Sequence, residues 1–198
     1  GLTNSAMGLY QMEISIGSIL GVVIAGRLLH RLGSRYLALA TYAIMAFSIV
    51  GLAFAVTAQD VLWACVFTAL IGAPFGAADF QNNFEAGEID RQSGRNRVPM
   101  LHFGYSGAVL LGATLTSILI GAKVSLSTDF ILIGFVVAIG AIIGSYMVPK
   151  DNGKIEEHDD EAAGSRMTVR QVLSDARNRR IVTIAFAFVV TEGAAVLW

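Results

Sequence analysis

The chain has 198 residues, 55% of them hydrophobic and only 15% charged, with a formal net charge of -1 and a mean hydropathy of +0.63. Soluble domains run nearer half apolar and a quarter charged, so this chain is richer in apolar residues than they are, and its balanced charge excludes a basic nucleic-acid footprint. The single Cys65 excludes an intramolecular disulfide and a Cys-rich metal site; it reads as a small packing residue in an apolar run.

No initiator Met, charged leader or small-residue cleavage pattern is legible at Gly1, and GLTNSAMGL reads as a loop entering a helix. Crossing the hydrocarbon core takes roughly 20 helical residues. Five stretches qualify, over 7–29, 36–57, 61–84, 99–122 and 130–148, and a sixth begins at Ile181 and is still apolar at Trp198. Both ends are therefore expected to lie inside a longer protein. The predicted fold class is all-α, a polytopic membrane helical bundle.

Orientation follows from the basic residues, because cytoplasmic loops hold the excess of Lys and Arg. The connector after the first span carries Arg27, Arg31 and Arg35, and the one after the third carries Arg91, Arg95 and Arg97. Residues 149–180 carry Lys150, Lys154, Arg166, Arg170, Arg177, Arg179 and Arg180, leaving only Lys123 for the other side. The first span is thus expected to run from outside to cytoplasm, and the alternation holds for every later span.

The segment 149–180 divides in two. Residues 151–165 are polar and acidic and read as a flexible linker, while Val169, Val172, Leu173 and Ala176 recur at helical spacing. That recurrence predicts a short amphipathic helix over 167–176 on the membrane surface, with Thr168 as its cap. Gly17/Gly21, Gly72/Gly76 and Gly140/Gly144 are each four apart, a spacing that lets helix backbones approach closely.

An ionisable residue inside a span is expensive unless it meets a partner or a cavity, so each is a candidate for function. Glu13, Asp79, His102 and Glu192 occupy the first, third, fourth and sixth spans; the second and fifth, as bounded above, hold no charge and read as peripheral supports. Asp79 and Asn83 share a helical face, as do His102 and Ser106 on the antiparallel span that follows. Asp79, Asn83 and His102 should lie at similar depth and form one polar cluster. Its Asp79 carboxylate either binds and releases a proton or belongs to a static hydrogen-bonded network. Glu192 falls near the midplane, where transport sites lie. Glu13, on the face of Gly17, reads first as an interhelical bonding group, and Glu85 and Glu88 as a solvated face.

Gly104-Tyr105-Ser106-Gly107 has the GxSG form of an intramembrane serine nucleophile, which needs a His from another helix. His102 shares the helix of Ser106, His30 sits at a helix end and His158 in the acidic linker, so the pattern reads as helix packing. The expectation is a non-enzyme with no cofactor and no metal.

The connector Gly26-Arg27-Leu28-Leu29-His30-Arg31-Leu32-Gly33-Ser34-Arg35 resembles the signature loop between the second and third helices of the major facilitator superfamily. That loop usually has Asp where His30 stands, and the acid helps latch the cytoplasmic side. The resemblance implies a gating role for Gly26, Arg27, Arg31, Gly33 and Arg35. It also implies a major-facilitator-type N-terminal half: residues 1–148 as helices two to six, 149–180 as the central linker, and 181–198 as the start of helix seven.

Asp79-Phe80-Gln81-Asn82-Asn83, followed by Met100-Leu101-His102 and Tyr105-Ser106-Gly107-Ala108, is similar to the fucose-permease-like branch. There a helix-four acid, Glu where this chain has Asp, precedes an Asn by four and takes part in proton coupling. The resemblance implies Asp79 as the coupling acid and Asn83 as a cavity or substrate ligand. The expected activity is proton-coupled symport of a small polar solute, a sugar being one candidate. The expected protein is a monomeric, multi-pass transporter in the cell's inner or plasma membrane, with solute, protons and the lipid bilayer as its partners and no nucleic acid. Two alternatives stay open: a drug or metabolite exporter of the same superfamily, disfavoured because helix five lacks the Gly-Pro pattern and helix four the Arg of drug antiporters, and a non-transporting membrane sensor or scaffold.

Overall fold

A computed structural model describes residues 4–154 and, beyond them, 174–180, 182–184 and 187. Five helices follow one another: α1 (Asn4–Leu32), α2 (Ser34–Thr57), α3 (Val61–Ser93), α4 (Val98–Gly121) and α5 (Leu126–Met147). No strand occurs among the described residues. Each helix is long and apolar enough to cross a membrane. Large side chains such as Leu111, Phe103 and Met147 are 72%, 80% and 81% exposed. An apolar surface this continuous is stable against lipid and not against water, so the chain is a multi-pass helical membrane protein.

The chain divides into two compact units, Gly1–Lys154 and Ile155–Trp198. In the second, Ser174 and 176–180 are helical, and the sixth span and the amphipathic helix lie almost wholly outside the described residues.

Helix ends follow local chemistry. Asp60 caps α3 by accepting from the Trp63 amide at 3.2 Å, and Ser125 caps α5 by accepting from the Thr128 amide at 3.2 Å. That cap starts α5 at Leu126, so Asp129 lies in its first turn and is buried. The fifth span therefore does carry an acid, contrary to expectation, at a helix N-terminus where negative charge is favoured. Similarly α3 continues to Ser93, where Gly94 ends it in the left-handed conformation at φ 64°. Its 33 residues span about 50 Å, well beyond a 30 Å core, and carry Glu85 and Glu88 toward the arginine-bearing end of the bundle.

Packing runs α1 on α3, α3 on α2 and α2 on α5. Gly17 and Gly21 of α1 face Gly72, Ala73 and Gly76 of α3 as the spacing predicts, backbone to backbone. A Cβ on Gly72 would lie 2.5 Å from the Ile14 carbonyl oxygen, and one on Gly76 would overlap that of Ser18. Gly140 and Gly144 depart from the prediction: a Cβ on either meets nothing within 4 Å. Ala25, Leu29, Leu37 and Ala77 form a buried cluster near the arginine-bearing end, with Leu28, Phe80 and Phe84 against it. By contrast α4 buries none of its residues.

Candidate functional site

On α3, Asn83 Nδ2 donates to the Asp79 carbonyl at 2.9 Å and to Asp79 Oδ1 at 3.2 Å. The one-turn spacing makes this contact, and both side chains are exposed. Gly72 and Gly76 continue the same strip but are buried where α1 packs on α3, whereas Asp79 and Asn83 are exposed. Asp79 forms no ion pair among the described residues. His102 does not join the pair: it is exposed on α4 and makes no hydrogen bond among the described residues. The reason is that α4 stands off from the bundle and buries nothing. Ser106 is likewise exposed, with no His bonded to it among the described residues.

Glu13 is half-buried on α1, and its Oε2 is a buried acceptor with no donor among the described residues. Glu192 lies outside the described residues.

The predicted loop is helical up to Leu32, with Gly26 inside α1 and Gly33 alone breaking the chain between α1 and α2. Gly33 has φ 75°, and a Cβ there would overlap the Lys150 carbonyl oxygen. Arg27 and Arg31 are exposed without partners among the described residues, whereas Arg35 reaches across to α5. Its Nε donates to the Val148 carbonyl at 3.0 Å, a terminal nitrogen donates to that of Tyr146 at 3.4 Å, and the guanidinium lies 5.9 Å from the Tyr146 ring centroid.

Residues 149–154 are not a free linker. They fold into a strap over the α1–α2 turn. The buried Ser34 amide, the first of a helix that has no side-chain cap, donates to the Asn152 carbonyl at 2.9 Å. His30 Nδ1 donates to the Gly153 carbonyl at 3.0 Å, which fixes a proton on that nitrogen. Asn152 Nδ2 donates to both oxygens of Glu85, at 3.1 and 3.0 Å. Lys150 Nζ sits 5.8 Å from the Tyr36 ring centroid. Lys154 Nζ lies 2.6 Å from Asp151 Oδ1, and this bond holds the Asp151 carboxyl below its ordinary value. His30 thus grips a main-chain carbonyl of the strap.

Beneath the strap, Gln81 is 3% exposed, and its Nε2 donates to the Ser34 carbonyl at 2.6 Å and hydroxyl at 3.1 Å. Its Oε1 is buried without a donor. Gln81, Asn82 and Glu85 line a cavity of about 700 Å³ between α2, α3, α4 and α5, with Arg97 and the bare backbone of Gly140 and Gly144 in its wall. Asp79 and Asn83 are not among its lining residues; they occupy another face of α3. Sequence reasoning missed this cavity and the strap. The Asn152-Gly153 turn signal was the available clue to the strap.

Comparison with protein-family models, with curated proteins and with solved structures finds no match for this chain.

Proposed function

We propose that the chain is part of a secondary active transporter of the major-facilitator type that moves a small polar solute, such as a sugar, by alternating access. In this reading Asp79 is the proton-coupling carboxylate and Asn83 the donor that holds it, with the arginine-bearing end in the cytoplasm. The observation that carries the reading is the Asp79–Asn83 contact, an acid on a membrane-crossing helix with an amide partner and no ion pair among the described residues. A carboxylate so placed can take up and release a proton without breaking an ion pair. The one-residue Gly33 turn and the Arg35 grip on α5 support a rigid end against which helices rock. Glu13 supplies a further half-buried acceptor on α1.

The test is solute-induced proton movement. In proteoliposomes holding the full protein, adding members of a radiolabelled monosaccharide panel should acidify the lumen as label enters. Uptake without proton movement would remove the coupling role from Asp79.

A further inference from the structure

Asn152-Gly153 is the only Asn-Gly step in the sequence, and it lies in the strap over the α1–α2 turn. Asparagine is chemically labile, most of all before glycine, where no side chain hinders the following main-chain nitrogen. The Gly153 amide donates no hydrogen bond among the described residues, so that nitrogen is unengaged. Glycine is required there for packing in any case: φ is 79°, and a Cβ would lie 2.8 Å from Leu29 Cγ. Asn152 and Gly153 are half-buried and flanked by the exposed Asp151 and Lys154, so water reaches them. What restrains the pair is Glu85 of α3, whose two oxygens accept from Asn152 Nδ2 at 3.1 and 3.0 Å. While the strap is closed, the nitrogen that would leave is tied to another helix.

We propose that Asn152 is a self-deamidation site, restrained by Glu85 in the closed strap, whose products cannot re-form it. The Gly153 nitrogen attacks Asn152 Cγ. A C–N bond forms, the Cγ–Nδ2 bond breaks, and ammonia leaves with the Gly153 amide proton. Water then opens the cyclic imide to aspartate or isoaspartate at position 152, with no change of oxidation state. Either way the donor that satisfies Glu85 is gone. Aspartate sets a carboxylate against Glu85, replacing two hydrogen bonds by like-charge repulsion. Isoaspartate runs the main chain through the former side chain and turns the carbonyl that accepts from Ser34 into a free carboxylate. The modification is therefore one-way: it marks chains whose strap has opened and keeps that strap open. It is independent of the transport reading.

The test incubates the full protein in nanodiscs at neutral pH and follows the amide-to-acid mass gain by peptide mass spectrometry. Asn152 should convert while Asn82 and Asn83, inside α3, do not. Glu85→Ala frees the amide and should speed conversion about tenfold, the factor for releasing one charge-assisted hydrogen bond. The unaltered protein unfolded in sodium dodecyl sulfate gives the same comparison without a variant, and should convert at least as fast as Glu85→Ala. Protease should cut the converted fraction within residues 149–154 about tenfold faster than the unconverted one, the same single-bond factor. Persistence of the Asn152 amide in the folded protein overturns the site. A rate unchanged by Glu85→Ala at full helix content, or unchanged by unfolding, overturns the restraint. Equal cutting of the two fractions overturns the release of the strap.

Discussion

The Ser34 amide donates to the Asn152 carbonyl at 2.9 Å, so residues separated by most of the bundle in sequence share one helix cap. The contact exists because Gly33 offers no side chain to cap α2 and turns the chain at φ 75° directly beneath the strap. Gly33→Ala places a methyl group in the left-handed region and against the Lys150 carbonyl. It should lower stability by about 1–3 kcal/mol, read as a lower thermal midpoint in detergent.

Asn152→Ala removes the only described hydrogen-bond partner of the Glu85 carboxylate and leaves the main-chain cap in place. A half-buried acceptor left unmade costs about 1–3 kcal/mol. Faster proteolysis at residues 149–154, with α2 still protected in hydrogen exchange, is the expected outcome; unchanged protection of the strap would show that the side chain contributes nothing.

The strap should also report pH. Asp151 is held below its ordinary value first by the Lys154 hydrogen bond, which outweighs the opposing effect of burial, and then by the charges of Lys154, Lys150 and Arg35. A depressed folded value stabilises above the ordinary carboxylate value and is lost as pH falls through the lower folded one. Hydrogen exchange at residues 151–154 should therefore stay slow from neutral pH down to about pH 4 and quicken only in stronger acid. Asp151→Asn should remove that acid dependence. Because the pair is exposed, its effect on global stability should be small.

Two glycines separate close packing from mere helix composition. Gly76→Ala drives a methyl group into the Ser18 carbonyl and should destabilise the α1–α3 contact by about 1–3 kcal/mol. Gly104→Ala on α4 meets open space and should be neutral or raise helix stability by up to about 1 kcal/mol. Thermal unfolding of both variants in one detergent checks the contrast.

Much of this was legible in the sequence for a simple reason: membrane helices are written in long apolar runs and their ends in charge. Val61 and Thr57 were placed to the residue, because Asp60 and the 58–60 turn interrupt apolar runs on both sides. The Gly17/Gly21 and Gly72/Gly76 pairs announced the α1–α3 approach, while Gly140/Gly144, with the same spacing, line a cavity, since spacing alone does not name the facing helix. Asp129 escaped because its span was started at residue 130, four residues after the helix begins at Leu126 behind the Ser125 cap. The Asp79–Asn83 contact is local to one helix and so was readable, whereas the place of His102 depends on how α4 packs. The Ser34–Asn152 and Asn152–Glu85 bonds join distant segments through a main-chain carbonyl and a single amide, which no periodicity records.

The central claim is that Asp79 couples solute movement to protons. Its most direct test compares pH-gradient-driven accumulation with solute exchange at equal pH, in proteoliposomes holding the full protein with either Asp79 or Asp79→Asn. The account predicts that Asp79→Asn loses gradient-driven accumulation at least tenfold while exchange persists, because an amide keeps the Asn83 contact but carries no titratable proton. Accumulation that follows the pH gradient equally well in both proteins would contradict it.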